Sequence, residues 1–185
     1  MNTIDPGPLS PVQVEPAGER WTLVMQRDLR HPPAKVWAAL TEPGRLEQWA
    51  PFLSDRDLGR PGGATLTAID GDERYAIPAT VQRAEPPHLL VYTWGEDLLR
   101  WELTPTAGGT RLVLRHTMAD RHWVPKVAAG WHLCLVVADR LLDGTPVPPI
   151  RGTEAKNHGW LELNDAYGRE LGIPTDDGAG ETDGQ

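Results

Sequence analysis

The sequence predicts an α+β domain in which a curved antiparallel sheet of about six strands is covered by one long helix near the C-terminus. Between residues 20 and 116, short segments alternate apolar and polar side chains and are separated by turn residues, a pattern that is typical of half-buried strands. After residue 121 the apolar residues instead recur every three or four positions, which is the period of an amphipathic helix.

The first strand is predicted over residues 20–30, because the apolar side chains of that segment share one face: Trp21, Leu23, Met25 and Leu29. Pro32 and Pro33 end this strand. Pro33 can also begin a helix, since the first helical turn needs no N–H donor. A short helix is therefore predicted after the first strand, and a second short helix is predicted to begin at Pro43.

The remaining strands are delimited by turn residues. Apolar or alternating segments predict strands at residues 66–69, 75–84, 89–94, 99–103 and 111–116. The intervening turns are indicated by Asp-Gly-Asp at 70–72, Pro-Pro at 86–87, Gly-Glu-Asp at 95–97 and Gly-Gly at 108–109. The carboxylates in these turns, Asp97 among them, are expected to be solvated.

The long helix is predicted over residues 122–142 from its apolar positions: Val124, Val127, Ala128, Trp131, Leu135, Ala138 and Leu142. Gly144 and Pro146 end it. The whole domain is predicted to span residues 19–173, including an extra C-terminal helix within residues 154–171. Residues 1–18 are rich in proline and glycine and are predicted to be a disordered leader, and residues 174–185 a disordered acidic tail.

Composition excludes several classes of protein. The 185-residue chain has a net charge of −8 and lacks the basic stripe of a dedicated nucleic-acid binder. Its single cysteine, Cys134, excludes an intramolecular disulfide and favours a reducing compartment. The N-terminal residues do not have the pattern of a signal peptide, and no apolar run reaches the ~20 residues that a membrane span needs. We therefore expect a cytoplasmic protein.

Four segments of the chain carry a family resemblance: RDLRHPPAKVWAALTEPGRLEQW at 27–49, EPPHLLVYTW at 85–94, GGTRLVLRHT at 108–117 and Gly-Trp-His at 130–132. In this order they resemble the SRPBCC superfamily, in the branch named for the activator of the heat-shock-protein-90 ATPase. The resemblance implies a helix-grip (START/Bet v-like) fold, with the sheet wrapped around the long helix, two short helices after strand 1, and a hydrophobic cavity.

The resemblance also implies a function. Superfamily members bind lipids, polyketides or other apolar molecules, which implies a small hydrophobic or aromatic partner. An enzyme of the polyketide cyclase/dehydratase type and a chaperone co-factor or stress-related interaction protein are the alternatives. The chaperone-activating members have an additional N-terminal domain where this chain has a short leader, so a chaperone partner is the least expected. The proline-rich stretch Gly144–Thr153 departs from the family pattern and is expected to affect how the cavity mouth is closed.

Ligand-binding residues are predicted among the side chains that should point between sheet and helix: Trp49, Phe52, Trp94, Trp101, Leu103, Leu114, His116, Val127, Trp131 and Leu135. The alternative for the aromatic members of this set is that they fill the core. His116 shares the face of Leu112 and Leu114, so it is a candidate hydrogen-bonding group or general acid–base in the cavity. The alternative is a strand-end histidine satisfied by backbone or water.

Arg27 is the second catalytic candidate, because it shares the strand face of Leu23 and Met25 and could hold a ligand carboxylate or enolate. Its alternative is an arginine whose guanidinium turns outward to solvent. His132 and Cys134 lie two residues apart on a helix and cannot hold one metal by themselves, so no metal site is predicted. No nucleotide or phosphate fingerprint is present, and no cofactor is predicted. We expect a binding protein rather than an enzyme, and leave a homodimer open.

Overall fold

The computed structural model describes residues 3–175, and this part of the chain forms eight strands and four α-helices. The strands are β1 (Val12–Ala17), β2 (Arg20–Leu29), β3 (Phe52–Ser54), β4 (Gly62–Asp70), β5 (Glu73–Glu85), β6 (Leu89–Trp94), β7 (Asp97–Thr106) and β8 (Gly109–Met118). The helices are α1 (Pro33–Thr41), α2 (Pro43–Leu46), α3 (Val124–Leu142) and α4 (Trp160–Leu171). In the described residues no helix is both long and apolar enough to cross a membrane.

The strands form one antiparallel sheet in the order β1-β2-β8-β7-β6-β5-β4-β3, which curves around α3. The six predicted strands correspond to β2 and β4 to β8. The two additional strands lie at the edges of the sheet. Strand β3 has only three residues, which is too short for the apolar alternation that identifies a strand.

Strand β1 lies inside residues 1–18, which were predicted to be a disordered leader. It pairs with β2 from Val12 opposite Met25 to Ala17 opposite Arg20. Pro16 is tolerated there because an edge strand donates hydrogen bonds on one side only. The prolines of this segment are unfavourable for a strand, so the sequence did not predict β1. The backbone of β1 pairs with β2 along its edge. The other predicted disordered segment, the acidic tail, lies beyond the described residues from position 176 onward.

Helix α3 is buried on two faces. The predicted helix over residues 122–142 is confirmed, with a 3₁₀ turn at Arg121–Trp123 before its first α-helical residue. Its predicted apolar face packs against the sheet, and a second face is also buried, with His132 fully inaccessible to solvent. Helix α4 and the N-terminal segment cover this second face, since the ring of His132 bonds to Tyr167 and to the Pro6 carbonyl.

The extra C-terminal helix is shorter than predicted. Residues Gly152–His158 form a 3₁₀ turn, and α4 begins only at Trp160. Gly159 separates the two with φ at 85°, a left-handed conformation that interrupts a right-handed helix and that glycine adopts without strain. The predicted start at residue 154 therefore lies six residues before the first residue of α4, which is about 1.7 turns of α-helix.

Candidate functional site

A pocket of about 270 Å³ lies where the N-terminal half of α3 meets one end of the sheet. The sheet contributes Trp94, Asp97 and His116 to its wall. Trp94 and Asp97 are paired across the tight turn between β6 and β7, and His116 lies on the neighbouring strand β8 opposite Leu99. Three chemically different side chains are thus brought to the same corner of the sheet by the register of three consecutive strands.

Helix α3 contributes Val127, Gly130, Trp131 and Cys134, which are spaced by three or four residues and so share one helical face. Gly130 leaves room in this wall, because a Cβ atom added there would meet no other atom within 4 Å. Trp131 and Cys134 are almost fully buried. The free space of the pocket therefore borders Gly130. Trp131 and residues 150–152 also line this space.

The facing wall comes from the strap, which we define as residues 145–159, between α3 and α4. Ile150, Arg151 and Ala155 of the strap line the pocket together with Trp160, the first residue of α4. Arg151 fastens the strap to the body of the domain by donating from Nε to the Ala50 carbonyl at 2.9 Å and from Nη2 to the Glu47 carbonyl at 2.6 Å. The strap is therefore held as a wall of the pocket.

A second anchor fixes the next turn of the strap. The backbone N–H of Thr153 donates to Oδ1 of Asp70 at 2.9 Å, and the Thr153 hydroxyl donates to the same oxygen at 3.1 Å. Gly152, which also lines the pocket, packs directly against Asp70. The proline-rich stretch that departs from the family pattern thus lies at the pocket wall.

Both ring nitrogens of His116 are engaged. Nε1 of Trp131 lies 2.9 Å from Nδ1 of His116. An indole nitrogen can only donate, so Nδ1 is the acceptor and the ring proton is on Nε2. Nε2 lies 2.7 Å from Oδ2 of Asp97 and donates to it. Arg20 faces the other carboxylate oxygen of Asp97 at 3.6 Å, so Asp97 is not the solvated turn residue that was predicted.

This arrangement limits the chemistry that His116 can perform. A carboxylate that accepts from one imidazole nitrogen also orients the histidine of a catalytic triad, but there the second nitrogen faces a nucleophile. Here the second nitrogen accepts from the indole of Trp131, which leaves no lone pair on the ring for a substrate proton. The other nucleophilic side chain of the pocket is also unreactive, since burial raises the pKa of the Cys134 thiol to about 12.

The structure divides the ten predicted ligand-binding residues into two groups. Four line the pocket: Trp94, His116, Val127 and Trp131. The other six are buried in the core and do not belong to the pocket wall: Trp49, Phe52, Trp101, Leu103, Leu114 and Leu135. The alternative interpretation of the aromatic residues, that they fill the core, describes the position of Trp49, Phe52 and Trp101, and the three leucines are core residues as well.

Trp49 and Trp101 show why aromatic residues alone do not indicate a pocket. Their rings meet edge to face at 6.3 Å, and Trp101 meets Trp131 in the same way at 5.3 Å. Each buried N–H has an acceptor: Trp49 donates to the Ala39 carbonyl at 2.8 Å and Trp101 to the Tyr92 hydroxyl at 3.2 Å. Trp49 and Trp101 thus form an edge-to-face cluster in which both N–H groups have acceptors. This cluster packs against Trp131 from the side of the core.

Arg27 and His116, the two catalytic candidates, do not share a site. Leu23 is paired with His116, whereas Arg27 is paired with Leu112, four residues further along the strand. At roughly 3.3 Å per residue this places the two side chains about 13 Å apart along the sheet. Arg27 turns toward the C-terminal half of α3, where Nη2 pairs with Asp139 at 2.9 Å. The register therefore places the two catalytic candidates in different parts of the fold.

A second cluster of titratable groups lies near Arg27. His31, Asp139 and Asp143 each have a potential metal-ligating atom, and these three atoms lie within 4.8 Å of one another. The cations of the chain already engage this cluster, because Arg27 pairs with Asp139 and Lys35 lies 3.4 Å from Nδ1 of His31. His31 also bonds to Asp143 at 2.8 Å. We therefore interpret the cluster as an ion-pair network that joins β2 and α1 to α3.

Comparison with known proteins matches residues 30–142 to the family described as "Activator of Hsp90 ATPase homolog 1-like protein". No curated protein matches the chain. Among solved structures, CalU16 from Micromonospora echinospora is 21% identical, covers 86% of this chain and 95% of its own, and has a TM-score of 0.64. A protein from Mesorhizobium loti is 27% identical over 68% of this chain and 99% of its own, with a TM-score of 0.59.

A third solved structure, an AHSA1-like protein from Aeromonas hydrophila, is 20% identical over 66% of this chain and 92% of its own, with a TM-score of 0.57. These similarities show the predicted helix-grip fold. The family match runs from the residue after β2 to the last residue of α3, so the strap and α4 lie beyond it. The chain belongs to the activator of Hsp90 ATPase homolog 1-like family within the SRPBCC superfamily.

Proposed function

We propose that the chain binds a small, flat, apolar molecule in the pocket beside Trp131. The observation that carries this proposal is the pocket lining, in which three indoles and two aliphatic side chains border one concave space: Trp94, Trp131, Trp160, Val127 and Ile150. Small-molecule sites are typically concave and largely apolar, with a few polar groups that fix the orientation of the ligand. The family and its fold are consistent with this role.

The size of the pocket limits the ligand. An apolar cavity of about 150 Å³ accommodates benzene. A pocket of about 270 Å³ therefore suits a molecule of about two fused rings rather than a long lipid chain. Burying about 250 Å² of apolar ligand surface contributes about 6 kcal/mol before the cost of association is subtracted. We expect dissociation constants no tighter than about 0.1 mM for ligands that fill the space by shape alone.

The hydrogen bonds of His116 favour binding over acid–base catalysis. A general base must offer a free lone pair within hydrogen-bonding distance of the proton that it removes. In this pocket Nδ1 accepts from Trp131 and Nε2 donates to Asp97. The imidazole is therefore part of the wall, where it keeps the indole of Trp131 in one orientation toward the ligand.

The proposal is tested by titrating the protein with three bicyclic probes of nearly equal shape: 2-acetylnaphthalene, 2-isopropenylnaphthalene and 2-naphthoate. Indole N–H resonances report the location of binding. We expect the resonances of Trp94, Trp131 and Trp160 to shift in the presence of at least one probe. Those of Trp49 should stay in place, because its ring is buried away from the pocket.

A pocket-filling variant provides the control. Gly130→Leu places a side chain into the open space of the wall and should weaken binding of any bound probe at least tenfold. Gly44→Leu is matched to it, because Gly44 also lies in a helix and a Cβ there likewise meets no atom within 4 Å. Absence of binding by all three probes, or equal binding by the Gly130→Leu variant, would overturn the proposed function.

A further inference from the structure

The pocket contains a hydrogen-bond donor without an acceptor. The indole N–H of Trp94 is inaccessible to solvent and has no hydrogen-bond partner among the described residues. Buried indole N–H groups usually have an acceptor, as the side chains of Trp49, Trp101 and Trp131 do in this protein. This N–H is closed to the pocket as well as to bulk solvent, so a ligand can bond to it only after the Trp94 ring, which lines the pocket, turns.

The strap adds a cation to the same wall. Arg151 donates to two backbone carbonyls, which uses two of the five N–H groups of a guanidinium. Among residues 3–175 Arg151 forms no ion pair within 4.0 Å, although Glu47 is close enough to act on it through charge. Burial lowers the pKa of Arg151, but a guanidinium in a protein remains protonated. The pocket wall therefore has a positive charge that no contacting carboxylate neutralises.

The other charged group of the wall does not cancel this charge. Asp97 accepts from Nε2 of His116 and faces Arg20, so both of its carboxylate oxygens have partners. Among the described residues Asp97 also forms no ion pair with Arg151 within 4.0 Å. A ligand in the pocket thus meets aromatic walls and a guanidinium with unused donors, and the indole N–H of Trp94 becomes a further donor if its ring turns.

We propose that the pocket selects a planar aromatic molecule that carries an anionic oxygen group, such as a carboxylate or an enolate. This inference rests on the proposed function and specifies its ligand class. The rings occupy the space between the indoles, and the anionic group accepts from Arg151, with Trp94 as a further donor. Arg27 was the sequence candidate for holding an anion, whereas Arg151 of the strap lines the pocket.

The expected effect is a preference among the three probes. Hydrogen bonds between ionised partners strengthen binding by about 10-fold to 100-fold relative to a group that cannot accept. We therefore expect 2-naphthoate to bind at least tenfold more tightly than 2-isopropenylnaphthalene at neutral pH. The neutral carbonyl of 2-acetylnaphthalene should give an intermediate affinity, because it accepts a hydrogen bond without carrying a charge.

Substitution of Arg151 tests the source of the preference. In Arg151→Gln the advantage of 2-naphthoate should fall below threefold, while the affinity for 2-isopropenylnaphthalene changes little. Arg30→Gln is the matched control, since it removes the same charge from an exposed position outside the pocket and should keep the preference. A preference that survives in Arg151→Gln overturns the assignment to Arg151.

The design also separates this inference from the proposed function. If the wild-type protein binds all three probes equally, the binding function stands and the anionic ligand class is wrong. If no probe binds, both are wrong. Should Arg151→Gln fail to fold because its two backbone anchors are lost, the wild-type comparison still decides the ligand class. Trp94→Phe then tests the second donor, and we expect it to weaken 2-acetylnaphthalene binding more than 2-isopropenylnaphthalene binding.

Discussion

The indole N–H of Trp131 and Nδ1 of His116 lie 2.9 Å apart, and this single hydrogen bond joins the long helix to the sheet at the edge of the pocket. It also fixes the tautomer of His116, because the indole can only donate and the ring proton must therefore face Asp97. The same contact thus aligns the pocket wall and removes the histidine from acid–base chemistry.

Replacing Trp131 with phenylalanine should expose the structural value of this bond. Trp131→Phe keeps an aromatic ring but replaces the indole with a smaller phenyl group, and Nδ1 of His116 loses its donor in a buried position. We expect the free energy of unfolding to fall by about 1–3 kcal/mol, measured by urea denaturation. The ¹⁵N chemical shift of Nδ1 of His116 should change as well, because this nitrogen no longer accepts a hydrogen bond.

Trp123→Phe is the control for this substitution. Trp123 is on average 55% exposed and its ring lies under Lys126 at 4.6 Å, a contact that phenylalanine can also make. Its replacement should change stability by less than about 0.5 kcal/mol. Equal losses in the two variants would mean that the hydrogen bond to His116 contributes nothing measurable.

Core and pocket indoles should respond to truncation in opposite ways. Trp49→Ala removes a ring that is 1% exposed, so we expect a loss of about 3–5 kcal/mol in stability with little change in probe affinity at temperatures where the variant is folded. Trp160→Ala removes a half-buried pocket residue and should weaken probe binding several-fold at a cost below about 1 kcal/mol. Thermal unfolding and fluorescence titration measure the two quantities. A loss of probe affinity in Trp49→Ala but not in Trp160→Ala would contradict the proposed position of the binding site.

Strand alternation predicted which side chains of the sheet face the helix, and for His116 that was sufficient to place it at the candidate site. Alternation has a period of two and carries no information about position along the strand. Trp101 and Trp94 therefore looked equivalent, although Trp101 lies in the middle of the core and Trp94 at its end. For the same reason alternation did not separate Arg27 from His116, although the register places them about 13 Å apart along the sheet.

The strap could not be predicted because its contacts are distant in sequence and have no period. Arg151 bonds to the carbonyl of a residue 104 positions earlier, and Thr153 to a side chain 83 positions earlier. Strand β1 escaped prediction because its partner supplies the backbone pairing that its own proline-interrupted sequence does not indicate. The strap and β1 are held by tertiary contacts, which the conformational propensity of the local sequence does not predict.

Gly152 should be essential for the attachment of the strap. Its φ of 57° lies in the left-handed region, and a Cβ atom there would overlap Oδ1 of Asp70. Alanine at this position should therefore strain the backbone and break the bonds from Thr153 to Asp70, with a loss of about 1–3 kcal/mol. We expect Gly152→Ala to lower the melting temperature and to make the strap sensitive to limited proteolysis.

Gly44→Ala is the matched substitution without strain. Gly44 has no positive φ, and a Cβ atom there meets nothing within 4 Å, so alanine should be neutral or slightly stabilising in helix α2. If Gly152→Ala unfolds at the same temperature as Gly44→Ala, the strap tolerates a side chain at this point. Its close packing against Asp70 would then have no energetic consequence.

A chain of hydrogen bonds ties the N-terminal segment to both C-terminal helices. The N–H of Ser10 donates to the Tyr167 hydroxyl at 3.0 Å, which in turn lies 2.6 Å from Nδ1 of His132. Nε2 of His132 lies 2.7 Å from the Pro6 carbonyl and must donate to it, so in the neutral imidazole Nδ1 accepts from the hydroxyl. Burial lowers the pKa of His132 below its ordinary value of 6.5.

Acidification should therefore weaken the fold through His132. As the pH falls below about 6.5, the unfolded chain binds a proton that the folded chain does not, so the free energy of unfolding decreases. Between pH 7 and 5.5 this contribution is at most about 1.3 kcal/mol. Denaturation at several pH values should show a smaller decrease in the free energy of unfolding for His132→Gln than for wild type. His88→Gln is the control, because His88 is exposed and its replacement should retain the wild-type pH dependence. Identical pH dependence in wild type and His132→Gln would show that the buried imidazole is protonated without cost.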